Sequence, residues 1–421
     1  MKKLLLLSAA ASAVLMAGGD IAPVEPAVAT PVVEASGWDF SGQAVVYYQT
    51  TNKGANDFFD QAASAADFGL QLRAVNKDVF AGIGAGVEVS GLSTLNLENW
   101  MVNKAKGVMQ LTGSNGDIDD KTDGGWISQM YLTYGVANTT FKLGRQELPK
   151  SLSPFAFSES WNVFKNTFDA ALVVNTDIAN TTLVGAWVGG ANKSVGNVTD
   201  FNSVNGSDGI YMLTVQNKSV ENLTITGTYY YAAEMGLKND DVNIFWGDAH
   251  YKFGNYCIAA QAGYIDGNFK RITTKNGVKG DDDTVAFGLK AGGNFGMFDA
   301  SIAYSNVNED SYGVFNVGGV KTPLYTQMIL NQDHIKRDND TFVVRAGMKA
   351  LGGKFGLAYN YTSDNANDNS DYQELDLTYK TKVLNDSTTL FAGYIYQTDE
   401  AWGKGTGDSI NTFRVWGRYN F

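Results

Sequence analysis

One cysteine, Cys257, stands in 421 residues, so no intrachain disulfide can form. There are two histidines, His250 and His334. Neither falls at a spacing that builds a Cys/His metal centre, and no Ser-His-acid constellation is visible, which argues against a hydrolase. Only six prolines are present, three of them at Pro23, Pro26 and Pro31. Beyond Ala17 no apolar run approaches the length of a transmembrane helix. Basic residues are in deficit, 32 Lys and Arg against 44 Asp and Glu. The formal charge of −12 disfavours nucleic acid as a partner and predicts solvated acidic loops. What the chain has instead is 47 glycines, 21 tyrosines and 23 phenylalanines, a composition suited to many strands.

The first residues read as an export signal. Met1, Lys2 and Lys3 form a basic start, and Leu4 to Ala17 is a short apolar run rich in small residues. Residues 1–17 are therefore a signal peptide, with cleavage as late as residue 29 if Ala27-Val28-Ala29 is the small-x-small site. The proline-bearing stretch 18–37 reads as an unfolded periplasmic lead, and 38–421 as one unit without an internal linker.

At the other end, Asp408 to Phe421 alternates. Phe413, Val415, Gly417, Tyr419 and Phe421 share one face, and Thr412, Arg414, Trp416, Arg418 and Asn420 the other. A period of two with an apolar and a polar face is a strand. A terminal aromatic fits a face turned to lipid. Further strands read as 38–50, 66–76, 79–90, 126–135, 138–146, 167–176, 180–190, 209–217, 222–232, 242–252, 255–264, 283–292, 295–306, 341–351, 354–364, 371–382 and 386–397, with 408–421 the last. Their connections alternate. Short turns fall at Asn76-Lys77-Asp78, Val136-Ala137, Asp177–Ala179, Lys218–Glu221, Phe253-Gly254, Gly293-Asn294, Gly352-Gly353 and Val383–Asn385, and long loops lie between. A soluble sandwich has no reason to gather every long loop at one end. An outer-membrane barrel does, with short periplasmic turns and long extracellular loops. The predicted fold is all-β, a transmembrane antiparallel up-and-down barrel of about eighteen strands, with sixteen as the competing count.

A barrel this wide cannot fill its interior with side chains, so its inward polar face implies a water-filled pore. Parity places Arg73, Lys142, Lys290, Arg345, Lys349, Arg414 and Arg418 in the lumen, with Glu88, Asp169, Asp248, Asp299, Glu374 and Asp376. These charges either keep the wall wet or form a basic ladder facing an acidic patch, a field that sorts ions. His250 shares the parity of Asp248 and is a candidate lumen pair, and Cys257 is inward without a partner. The third long loop, after Phe141, carries Pro149, Pro154, Phe155, Phe157 and Trp161. Such aromatics suit packing against the inner wall, so this loop is expected to fold inward and narrow the pore. Strict parity turns Arg145 outward with Phe141 and Leu143, so either it lies above the lipid band or a bulge at Gly144 turns it in.

The stretch LGRQELPKSLSPFAF, from Leu143, resembles the corresponding segment of the Campylobacter-type major outer-membrane porins and, more distantly, of OprD-like channels. The specific motif covers only Leu143 to Pro154. The resemblance implies an eighteen-stranded, homotrimeric porin passing ions and small hydrophilic solutes. It also implies that Arg145, Glu147 and Glu159 line the constriction. The last strand is similar to those of bacterial outer-membrane proteins, which implies that the barrel assembly machinery reads Phe421 and Tyr419. Placement in the outer membrane implies lipid and lipopolysaccharide as surroundings.

Cofactors are not expected, with one weak exception. Asp117, Asp119, Asp120 and Asp123 lie among glycines and are candidate calcium ligands, but they lack the twelve-residue pattern with a terminal Glu. The main functional reading is passive diffusion through a porin and not an enzyme. The alternatives are a substrate-selective channel of the same fold, or an adhesin or receptor using loops 91–125 and 307–340.

Overall fold

The computed structural model describes residues 37–53, 56–93, 100–101, 109–110, 123–192, 201–236, 240–267, 272–274, 277–279, 283–309, 311, 313–365, 371–399 and 409–421. The signal and most of the lead lie outside them, as do the calcium candidates Asp117, Asp119 and Asp120. Asp123 opens a strand, but its side chain is outside the description.

The wall is a closed antiparallel barrel of eighteen strands. They are β1 (Asp39–Thr51), β2 (Ser64–Phe80), β3 (Ile83–Ser93), β4 (Asp123–Val136), β5 (Thr139–Gln146), β6 (Phe168–Asn175), β7 (Thr181–Ala191), β8 (Ile210–Asn217) and β9 (Leu223–Ala232), followed by β10 (Val242–Phe253), β11 (Tyr256–Asp266), β12 (Thr284–Phe295), β13 (Phe298–Val307), β14 (Asn339–Ala350), β15 (Gly353–Asp364), β16 (Tyr372–Val383), β17 (Thr388–Asp399) and β18 (Ile410–Asn420). Each strand pairs with its sequence neighbours, and β18 returns to β1 from Gln43↔Asn420 to Thr51↔Thr412. The seam is finished by the last residue, because Gly42 and Phe421 exchange backbone hydrogen bonds of 2.8 and 3.0 Å. Closure leaves no edge strand among the eighteen, which is what a sheet surrounded by hydrocarbon requires.

All eighteen expected strands are present, and the count of sixteen is excluded. Two turns move. The first hairpin reverses at Ala81-Gly82, both at positive φ (51° and 82°), and not at Asn76-Lys77-Asp78. There Asn76 Oδ1 accepts from the Asp78 amide and Asp78 Oδ1 from the Gly82 amide, so the polar triplet holds a register shift inside the hairpin. The reversal expected at Gly293-Asn294 comes at Gly296-Met297, because β12 runs on to Phe295, paired with Phe298.

The outward face is apolar. Leu143, Met130, Leu213, Leu289 and Ile302 are each more than half exposed. The buried clusters lie on the other side of the wall, where two long loops fold into the lumen. One joins β5 to β6 (147–167) and the other joins β13 to β14 (308–338). Leu148, Phe155, Val314, Leu324 and Ile335 from these loops pack with inward wall residues such as Val188, Tyr230 and Trp246. Val163 and Phe164 pack with Val45 and Tyr47 of β1. The core is thus a plug of loops within a barrel.

Candidate functional site

The β5–β6 loop folds inward as its aromatics imply. Phe155 meets Tyr230 and Trp246 edge-on, at ring centroid distances of 5.7 and 5.3 Å. The Phe155 amide donates to the Tyr230 hydroxyl, and the Thr214 hydroxyl donates to Leu152 O. On the other side of the lumen, Arg418 Nη2 donates to Val163 O at 3.0 Å. The loop therefore reaches from β8–β10 to the β1/β18 seam.

The β13–β14 loop joins it, and Glu159 is the clasp. Oε1 accepts from Asn316 Nδ2 and from the amides of Val320 and Lys321, each at 2.8 Å, while Oε2 accepts from Trp161 Nε1 at 2.6 Å. Asn316 also exchanges hydrogen bonds with the Phe157 backbone, and the Val317 amide donates to Phe155 O at 2.7 Å. Glu159 is 2% exposed. This corrects the expectation that its carboxylate lines the constriction: it is consumed in joining two loops, a partnership that strand parity does not register.

Glu147 does face the lumen, in an ion pair with Lys165 at 2.5 Å. Around it the wall brings together Arg73, Lys142 and Arg418. Arg73 Nη2 donates to the Tyr131 hydroxyl at 3.3 Å, Lys142 Nζ sits 3.8 Å from the Tyr131 ring centre, and Arg418 Nη1 donates to Gln43 Oε1 at 2.9 Å. Glu88 is buried and accepts from the Ser128 hydroxyl. Arg414 is inward too, but at 4% exposure it is packed against Gln49 and Tyr47 and is not open to water.

Across the barrel, Asp248 and His250 form the pair that parity anticipates, Nε2 to Oδ1 at 2.8 Å, with Tyr325 of the β13–β14 loop donating to Asp248 Oδ2 at 2.5 Å. Burial, and next the Asp248 carboxylate, hold the Tyr325 phenol well above the ordinary tyrosine value. Lys290 lies 5.6 Å from the Tyr325 ring centre. Lys349 is exposed near the periplasmic end of β14, and Asp299 pairs with Lys354 at 2.7 Å.

Four expected pore-lining charges are placed otherwise. Arg345, Glu374 and Asp376 point inward but are 3%, 0% and 1% exposed, sealed beneath the β13–β14 loop. Arg345 Nη2 donates to Gln327 O, and Glu374 accepts from the Leu330 amide and the Tyr372 hydroxyl. Asp169 lies between the inward Phe168 and Ala170 and so faces outward. Arg145 is outward as strict parity counts it, and not in the constriction as the resemblance implies. Gly144 has φ of +122°, yet the β4–β5 register runs on unbroken, so Arg145 stays level with the outward Met130. Its guanidinium pairs with Asp169 at 2.8 and 3.1 Å, donates to Ile127 O, and lies 3.2 Å from the Phe201 ring centre. Both residues are on the outer surface, away from the lumen. Tyr419 and Phe421 face outward at the seam, half exposed, with rings 5.8 Å apart.

Sequence reasoning passes over several lumen groups. Lys380 shares the parity of Glu374 and Asp376 and is readable by the same count. It lies 5.7 Å from the Trp416 ring centre. Lys165, Tyr325 and Lys150 belong to loops, where parity carries no signal.

No family description and no curated relative matches the chain. Solved structures do match. Pseudomonas aeruginosa OccK8 (OprE) aligns with a TM-score of 0.71 at 15% identity, covering 91% of this chain and 98% of its own. P. aeruginosa OpdK with vanillate gives 0.69 at 13%, with the same coverages, and Acinetobacter baumannii OccAB2 gives 0.67 at 14% over 91% and 98%. The barrel has the fold of these proteins. Another structure of OpdK is described as that of an outer membrane protein.

Proposed function

We propose that the protein is a bacterial outer-membrane channel through which ions and small hydrophilic solutes diffuse. One observation carries the reading: two long loops meet inside a closed barrel through Glu159, and the Glu147–Lys165 ion pair of the β5–β6 loop keeps contact with water, at 34% and 23% side-chain exposure. A plug of this form narrows a pore and leaves polar groups along what remains, which is how a channel sorts solutes by size and charge. The apolar outer face belongs in lipid, with lipopolysaccharide around it, and the terminal Phe421 in the seam fits recognition by the barrel assembly machinery.

A substrate-selective channel is the second reading. It is favoured by lumen cations held over aromatic rings, Lys142 over Tyr131 and Lys380 and Arg418 over Trp416, which form an ordered charged track. OpdK, which shares the fold, has been solved with vanillate.

The homotrimer has a natural seat at β5–β8. Strands β5, β6 and β8 have eight residues each. Tilted by about 45°, eight residues at about 3.3 Å rise about 19 Å, short of the about 25 Å apolar band. The outward Arg145–Asp169 pair lies on this low wall, where contact with another subunit suits it better than lipid.

The test is conductance in planar bilayers, on protein shown to be folded by its heat-shifted gel mobility. Discrete steps support the channel and steps in threes the trimer. Flux saturating with one solute selects the second reading, and no steps refute both.

A further inference from the structure

We infer that His250 is a specificity-determining residue that makes the ion preference of the channel depend on pH; the inference rests on the channel reading above. The imidazole is held on the lumen wall by β10, with its side chain 45% exposed. Its Nε2 lies 2.8 Å from Asp248 Oδ1. The loop that narrows the lumen lies against it, with the Tyr325 hydroxyl 3.4 Å from Nε2 and the two rings edge-on at 5.6 Å.

The other charged and titratable groups facing this spot are mostly basic. Lys252 follows two residues on along β10, and Cys257 of β11 stands in register with it. From β12, Lys290 reaches over the Tyr325 ring, and its electrostatic neighbours are Arg345 of β14 and, less strongly, Lys150 of the β5–β6 loop. Asp248 is the one carboxylate in direct contact with the imidazole among the described residues. Tyr325 remains a neutral donor to it.

With a neutral imidazole, the Asp248–His250 pair carries one negative charge and offsets one of the surrounding ammonium groups. Protonation brings the pair to neutrality without moving it, because Nε2 is a donor to Asp248 in either state. The lysines are then less compensated, and the passage beside them turns more attractive to anions. Histidine is the side-chain type whose charge change ordinarily lies between about pH 5 and 8. One unit charge about 7 Å from a permeating ion, in a water-filled lumen, alters its local concentration about threefold. At salt of about 0.1 M such a distance lies within the screening length.

The experiment is the zero-current potential in planar bilayers under a dilute KCl gradient, at about pH 8 and about pH 5.5, for wild type, His250→Gln and His250→Lys, each folded by heat-shifted mobility. Chloride gains and potassium loses that factor together, so the expected result is a chloride-to-potassium permeability ratio rising about sevenfold on acidification in wild type. The Gln variant should stay at the high-pH ratio and the Lys variant at the low-pH ratio throughout. A wild type that does not shift, or a Gln variant that shifts as fully as wild type, overturns the role of His250 while leaving the channel intact. Absence of conductance at both pH values removes the channel reading and this inference with it.

Discussion

Glu159→Ala tests the clasp between the two lumen loops. The carboxylate receives four hydrogen bonds at 2.6 to 2.8 Å in a setting that excludes water. Truncation strands the Val320 and Lys321 amides and the Trp161 indole N–H. A buried donor left without a partner costs about 1–3 kcal/mol. Three of them at the lower half of that range give about 4 kcal/mol, roughly a thousandfold in the ratio of joined to parted loops. The wall is untouched, because β1–β18 closure and the neighbouring pairings do not involve Glu159. The variant should therefore still fold and show heat-shifted mobility, while its single-channel conductance rises and fluctuates and a protease cuts within 308–338. Glu159→Gln keeps an acceptor for the three donors on Oε1 but turns an amide N–H toward the Trp161 indole. It should lose about one hydrogen bond's worth, about 1–3 kcal/mol, and fall between the two. Unchanged conductance and unchanged protease resistance in Glu159→Ala would refute the clasp.

Three further outcomes are expected. Gly319→Ala should reproduce the Glu159→Ala conductance, because a Cβ there would come 2.0 Å from Glu159 Oε1, and an ordinary quiet channel would show that the loops adjust freely. Leu143→Arg should cost about 2–4 kcal/mol in a urea-monitored bilayer folding assay, as a charge on a lipid-facing wall does, whereas Lys142→Ala, one residue away, should change conductance and leave folding nearly unaltered; equal effects would contradict the face assignment. Arg145→Ala should leave conductance unchanged, since the side chain is on the outer surface, but weaken the oligomer on native gels, and a conductance change without loss of oligomer would return Arg145 to the lumen.

Much of the barrel is legible without coordinates because two periodicities are physically forced. A strand between lipid and water must alternate, so the assignment of Tyr419 and Arg418 to opposite faces follows from counting, as does the pairing of Asp248 with His250. Turns are less secure. Asn76-Lys77-Asp78 has the composition of a reversal, yet its side chains cap a register shift and the chain turns three residues later. Parity also assigns direction without cover. Glu374 and Asp376 point inward as counted, but a loop from a distant part of the chain lies over them.

The amino-acid order by itself determined where the strands fall, most of their inward and outward faces and the alternation of short and long connections, because each follows from local hydrogen bonding and from the contrast between lipid and water; the choice of eighteen over sixteen came from the pairings. The tertiary structure alone decided where 308–338 goes, that Glu159 holds it to 147–167, and that Arg145 meets Asp169 on the outer surface. The Glu159 contacts join residues far apart in the chain through loops that have no period, and Arg145 meets Asp169 as its register partner on the neighbouring strand. A loop's path is set by which wall side chains accept its aromatics and which of its donors find an acceptor, and neither is a property of the loop's own residues.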